Sequence, residues 1–167
     1  MKRWALAVVM ALVASAAGAQ TRAGAVEKII ASGPFKTAST FLDGDYDRFV
    51  KELITLTEIP APPFKEQKRA AAYLEMLREL GLSDVEKDEE GNVMGLRKGT
   101  GGGPMLAVLA HLDTVFPEGT DVTVKRSGTR LMAPGVGDDT RALADIARNA
   151  TNKFAVAYDG SLSVPTT

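Results

Sequence analysis

The sequence has no cysteine, one histidine (His111) and one tryptophan. Without cysteine, the protein has no disulfide bond, no thiolate ligand for a metal and no cysteine nucleophile. One histidine limits any imidazole-based metal or acid–base site to a single imidazole per chain. An excess of charge of either sign is also absent, because the formal net charge is −1, and this balance argues against nucleic acid as a partner.

Long apolar runs are scarce too, and the one at the N-terminus has the layout of a secretory signal peptide. Lys2 and Arg3 precede the apolar run Trp4–Ala14, and Ala17-Gly18-Ala19 forms an A-x-A-like cleavage site. The run is too short to span a bilayer comfortably. We therefore predict a signal peptide over residues 1–19, no stable membrane anchor after its cleavage, and a periplasmic or secreted mature protein.

Two amphipathic helices are predicted downstream of a polar segment. Small and polar residues dominate Gln20–Gly44, which predicts a loosely ordered leader. Helical spacing of apolar residues predicts one helix over Tyr46–Ile59, ended by Pro60, and a second over Phe64–Leu80. Gly81 follows where a helix C-terminal glycine belongs. The basic residues of the second helix are expected on a solvated face; they are Lys65, Lys68, Arg69 and Arg78.

Strands and a further helix are predicted in the second half of the chain. Two hairpins are indicated, one from Val85–Glu90 and Val93–Lys98, the other from Val122–Lys125 and Thr129–Met132. Between them, Pro104–Ala110 is a continuous apolar run of the length expected for a strand buried on both faces of a sheet. A helix is predicted from Asp138 to Asn149, and a small hairpin over Phe154–Val164. Helices that alternate with strands predict an α/β sandwich.

His111 and Asp113 follow directly after the predicted buried strand. Ligands of α/β sheets collect at the carboxyl ends of strands, where the chain leaves the core. A neutral imidazole there can bind zinc through one nitrogen while a nearby carboxylate accepts the proton of the other. A lone histidine is also compatible with a structural role, so the pattern by itself leaves both interpretations open.

Two adjacent carboxylates, Asp138 and Asp139, follow the glycines Gly135 and Gly137 at the start of the last predicted helix. Carboxylate oxygens suit divalent metals, and one carboxylate can bridge two ions. Helix capping is the alternative, since acidic residues satisfy free amides at a helix N-terminus. A dinucleotide loop is disfavoured because a third glycine is missing and the carboxylates would repel phosphate.

Three segments together resemble the co-catalytic zinc peptidases that include aminoacylase, glutamate carboxypeptidase and tripeptide aminopeptidase. The segments are Ile59–Pro63, the run from His111 to Pro117, and Gly135–Arg141, in the order and spacing of that family. The resemblance covers about Tyr46 to Ala144. It implies that His111 binds one zinc ion, that Asp138 bridges two, and that Asp113 orients His111 and contributes to catalysis in this way.

The resemblance implies a partial three-layer α/β sandwich and hydrolysis of peptide or N-acyl amide bonds by an exopeptidase. The family's Glu-Glu pair, which supplies the base and a ligand, and its late histidine have no counterpart here. We therefore interpret residues 45–167 as a truncated N-terminal part of the catalytic domain, inactive by itself. Complete family members form homodimers, which we do not expect of this chain. The alternative is a secreted metal- or peptide-binding module without catalysis.

Overall fold

A computed structural model describes residues 24–99 and 105–151, and the chain divides into two compact units. Of the described residues, 24–42 belong to unit 1, and 43–99 and 105–151 belong to unit 2. The predicted signal peptide and the predicted C-terminal hairpin lie outside the described residues. The domain boundaries at residues 19 and 44 therefore stay predictions. Within the described residues, no helix is long and apolar enough to cross a membrane.

The described part of the predicted leader is helical. Residues 24–31 form α1, and α2 runs over Gly33–Gly44 with no buried residue. Ser32 separates them, and its hydroxyl accepts a hydrogen bond from the Phe35 N–H at 3.3 Å, as a helix N-cap does. We expected a loosely ordered segment because apolar residues are few, and the helical form of residues 24–44 corrects that expectation.

Two helices of unit 2 match their predicted positions. Helix α3 spans Tyr46–Thr57 and α4 spans Gln67–Glu79. Gly81 has φ +76, and its N–H donates to the Arg78 carbonyl at 2.9 Å, so the predicted left-handed helix end is confirmed. Helix α4 begins three residues later than predicted, because a turn closed by the Lys65 N–H and the Pro62 carbonyl at 2.9 Å, with Phe64 at φ +62, precedes it.

Both predicted hairpins form. Strand β1 (Ser83–Lys87) pairs antiparallel with β2 (Val93–Leu96), and β3 (Lys125–Ser127) pairs antiparallel with β4 (Arg130–Met132). In the second hairpin, β3 begins at Lys125, three residues later than predicted. These are separate two-stranded sheets, so the hairpins do not join into one larger sheet.

The prediction of a buried strand over Pro104–Ala110 is wrong for residues 105–110, and Pro104 lies outside the described residues. Residues 105–110 form no strand, and Met105 and Leu109 are each 87% exposed. A central strand needs a hydrogen-bonded partner on each side and a layer of side chains on each face. The two described sheets contain only the two hairpins, so nothing in them supplies those partners to this run.

The core of unit 2 is built by three helices. The last helix, α5, spans Thr140–Thr151, close to its predicted range, and its buried residues Leu143, Ala144 and Ala147 pack on α3 and α4. Leu143 and Ala147 form the inner cluster with Leu56 of α3 and with Tyr73 and Leu77 of α4, whereas Ala144 packs in a second cluster on α3. The described residues thus form a partial α/β arrangement of helices and small sheets, and the predicted three-layer sandwich is not confirmed.

Candidate metal centre

His111 lies in the segment that follows the exposed apolar run, and its imidazole stands between two carboxylates. Nε2 is 3.0 Å from Asp138 Oδ1, and Nδ1 is 3.2 Å from Asp113 Oδ1 and 3.0 Å from the Asp113 carbonyl oxygen. The three predicted site residues are therefore brought together. Their side chains remain reachable from solvent, with exposed fractions of 48% for His111, 46% for Asp113 and 85% for Asp138.

Both ring nitrogens of His111 face hydrogen-bond acceptors. Two oxygen atoms of Asp113, one from the carboxylate and one from the backbone, lie within hydrogen-bond distance of Nδ1. Both are acceptors and favour a proton on Nδ1, but Nε2 also faces an acceptor, Asp138 Oδ1 at 3.0 Å, so without a metal the geometry accommodates a proton there as well. A zinc ion bound at Nε2 would leave the proton on Nδ1, where it faces Asp113. Nε2 is the nitrogen that faces Asp138, the other predicted ligand.

Asp139 has a contact that the sequence did not predict. Its Oδ2 accepts a hydrogen bond from the backbone N–H of His111 at 3.2 Å. The neighbouring carboxylates of Asp138 and Asp139 thus hold the same residue at two points, the first at its ring and the second at its backbone. This contact joins segments 28 residues apart, and no local pattern indicates it.

A network of threonines fixes the two segments that carry the site. The Thr114 N–H and hydroxyl both donate to the Ala61 carbonyl, at 2.8 and 3.1 Å. The Thr140 hydroxyl lies 2.7 Å from the Gly135 carbonyl and 2.8 Å from the Thr57 hydroxyl. Because Thr57, Thr114 and Thr140 are all buried, these bonds connect the core helices directly to the residues that flank His111 and Asp138.

The prediction of a solvated basic face is confirmed for Lys65, Lys68 and Arg78, which are exposed, and is wrong for Arg69. It is fully buried, and its guanidinium donates to the carbonyls of Ile59 and Leu112. Its position one helical turn before Tyr73 places it on the buried face of α4. That spacing could have identified it from the sequence.

The charges around His111 change its affinity for a proton. Partial burial lowers the pKa of His111, but the hydrogen bonds to Asp138 and Asp113 and the charges of Asp139 and Asp113 outweigh it, and the pKa is raised. A positively charged ring between carboxylates is consistent with this geometry. The same carboxylates would attract a divalent cation.

The residues present fit two ligands of one zinc ion. Imidazole nitrogen and carboxylate oxygen are both zinc ligands, and two such atoms on a tetrahedral ion stand about 3.3 Å apart. The observed separation of His111 Nε2 and Asp138 Oδ1 is 3.0 Å. No group of three or more His, Cys, Asp or Glu side chains able to hold a metal is found within the described ranges. The described site therefore provides two ligands, and the roles of its residues stay predictions.

Comparison with known proteins supports a coarse relationship to hydrolases. No family model matches the chain. The chain is 38% identical over 68 residues to a protein of Pyrococcus abyssi named as a LysW-lysine/LysW-ornithine hydrolase. The match covers 41% of this chain and 18% of that protein, so the chain spans less than a fifth of the relative's length in the matched region.

Proposed function

We propose that this chain carries part of the active site of a zinc-dependent hydrolase of peptide or N-acyl amide bonds, acting outside the cytoplasm. His111 and Asp138 are the zinc ligands, and Asp113 orients His111. The observation that carries the proposal is the pairing of His111 Nε2 with Asp138 Oδ1 at 3.0 Å while Nδ1 faces Asp113. The similarity to a protein named as a hydrolase supports the reaction class.

Each residue has a defined task in this proposal. Asp113 holds the proton on Nδ1, so that the Nε2 lone pair is directed towards the metal position. Asp138 adds an anionic oxygen, and its exposure of 85% keeps the carboxylate accessible to the second ion that the family resemblance implies. Asp139 holds the His111 backbone. When bound, zinc would act as a Lewis acid on the scissile carbonyl and make water more acidic.

The number of ligands limits what the chain does by itself. Catalytic zinc sites usually have three protein ligands and a water, whereas His111 and Asp138 provide two. We therefore expect weak zinc binding and little hydrolysis from this chain.

Zinc titration of the purified chain, followed by calorimetry, tests the ligand assignment. We expect His111→Ala and Asp138→Asn each to weaken binding by at least about 10-fold. Asp84→Asn is the matched control, because Asp84 is an exposed carboxylate in β1 with a φ of +52 that asparagine tolerates. Tight zinc binding that His111→Ala leaves unchanged would refute the proposal.

A metal-binding module without catalysis is the second candidate, and the pair of ligands is the observation that favours it. The two candidates differ in turnover. With zinc present, release of amino acid from N-acetyl amino acids or dipeptides, abolished by His111→Ala, would establish the hydrolase. Zinc binding through His111 with no release above the protein-free rate would support the module.

A further inference from the structure

Arg69 is a buried cation whose hydrogen bonds all go to backbone carbonyls. Nε and Nη2 donate to the Ile59 carbonyl at 3.2 and 2.8 Å, and Nη1 donates to the Leu112 carbonyl at 2.8 Å. Burial lowers the pKa of Arg69 to about 10, and the Asp113 charge opposes that shift. A buried guanidinium is costly for folding unless its donors are satisfied. An apolar residue would fill this position on α4 at a lower desolvation cost. The desolvation cost of Arg69 is therefore offset by its hydrogen bonds to the Ile59 and Leu112 carbonyls.

The Leu112 carbonyl belongs to the residue between His111 and Asp113. Fixing this carbonyl fixes the plane of the peptide that joins Leu112 to Asp113. The Asp113 carbonyl and carboxylate both lie within hydrogen-bond distance of His111 Nδ1, so their positions depend on that peptide. Arg69 therefore acts on the imidazole through the backbone, without touching the ring.

The second carbonyl held by Arg69 ties the site to the helix core. Ile59 lies just after α3, and two residues further on the Ala61 carbonyl accepts both bonds from Thr114. Arg69 and Thr114 thus form two parallel ties between the segments Ile59–Ala61 and Leu112–Thr114. The planar guanidinium reaches two carbonyls at once, which the single ammonium group of lysine does not reproduce in the same geometry.

We propose that Arg69 is a positioning residue for the metal centre, because it holds the Leu112 peptide and thereby keeps Asp113 against His111 Nδ1. The inference rests on the proposed function only for the identity of the bound metal. The positioning itself concerns the imidazole and its carboxylate, and it can be measured without metal.

Two variants of the full chain test this role against simple destabilisation. Arg69→Lys retains the positive charge but loses the planar guanidinium that reaches both carbonyls. Tyr73→Phe is the matched control. Tyr73 lies one turn further along α4, is buried, and also donates to a backbone carbonyl, that of Leu143 at 3.0 Å. Both changes lower stability, but only the first alters the Leu112 peptide. We expect Arg69→Lys to weaken zinc binding by about 10- to 100-fold, as for other residues that orient a metal ligand, and Tyr73→Phe to leave it unchanged.

Nitrogen NMR of the single histidine gives the readout without metal. At a pH high enough for the imidazole to be neutral, we expect the Nδ1–H tautomer to be more populated in the parent chain and in Tyr73→Phe than in free imidazole, because Asp113 presents two acceptors to Nδ1. In Arg69→Lys the ratio should move towards that of free imidazole. An unchanged tautomer ratio together with unchanged zinc affinity would overturn the positioning role. Loss of the His111→Ala effect on zinc affinity, with the tautomer shift intact, would instead overturn only the proposed function.

A second variant covers the case in which Arg69→Lys does not fold. Thr114→Val keeps the side-chain shape and the backbone N–H, and removes the hydroxyl bond to Ala61 that runs parallel to the Arg69 tie. If the hydrogen bonds of Arg69 and Thr114 jointly fix the position of the Leu112 peptide, the tautomer ratio should shift in the same direction as for Arg69→Lys. The shift should be smaller. A folded Thr114→Val chain with the parent tautomer ratio would contradict the proposal.

Discussion

Gly135 is the position at which a single methyl group should reveal how tightly the site is held. Its φ is +80, and a Cβ added there would lie 2.8 Å from Thr114 Cγ2. Gly135→Ala therefore has two separate costs. The left-handed backbone costs about 1 to 2 kcal/mol for alanine, and crowding against a buried methyl costs about 1 to 3 kcal/mol. We expect the free energy of unfolding to fall by about 2 to 5 kcal/mol.

Two further variants separate these costs. Gly128→Ala is the backbone control, because Gly128 has φ +60 and nothing lies within 4 Å of its added Cβ. The free energy of unfolding of Gly128→Ala should therefore fall only by the cost of the left-handed backbone. Thr114→Ser removes the obstructing Cγ2 and keeps the hydroxyl bond to Ala61, so Gly135→Ala should be about 1 to 3 kcal/mol less costly in the Thr114→Ser background.

Urea unfolding followed by circular dichroism measures the parent chain, the three single variants and the double variant under the same conditions. The double-mutant cycle gives the crowding between Gly135 and Thr114 directly. Equal losses for Gly135→Ala in the two backgrounds would refute the close approach of the segments that carry His111 and Asp138. A loss no larger than that of Gly128→Ala would refute it as well.

Three further predictions concern the core that supports the site. Leu56→Ala should lower the free energy of unfolding by about 2 to 5 kcal/mol in urea, because Leu56 is fully buried in the inner cluster. Thr57→Val should cost about 1 to 3 kcal/mol by the same assay, since it removes a buried hydroxyl that contacts Thr140 and the Leu53 carbonyl. Burial raises the pKa of Glu52 despite the opposing effect of Arg48. Its contribution to stability is therefore present below the unfolded pKa and is lost as pH rises through the folded pKa. Urea titrations between about pH 4 and 7 should show the parent losing stability relative to Glu52→Gln, and parallel curves would contradict this.

Local patterns predicted the elements whose partners lie nearby in sequence. The strands around Gly91 and Gly128 pair across short turns, and Gly81 ends α4, so each depends on a few adjacent residues. The run after Pro104 had the composition of a buried strand, but such a strand depends on distant neighbours. Composition could not supply those neighbours, and residues 105–110 are not a strand.

The residues of the site could be predicted from the sequence, but the long-range contacts between them could not. His111 and Asp113 are two residues apart, so their contact follows from their spacing. The approach of Asp138 to the ring, and of Asp139 to the backbone, spans more than 25 residues, and only the family resemblance indicated the first of these. Arg69 was misassigned because charge was given more weight than its position on the buried face of α4.

The most direct test of the account is a crystal structure of the chain grown with zinc, with anomalous data collected at the zinc edge. We expect a peak about 2.0 to 2.2 Å from both His111 Nε2 and Asp138 Oδ1, with Asp113 still against Nδ1. Zinc bound through Nδ1, or a strong peak elsewhere with none at this pair, would contradict it.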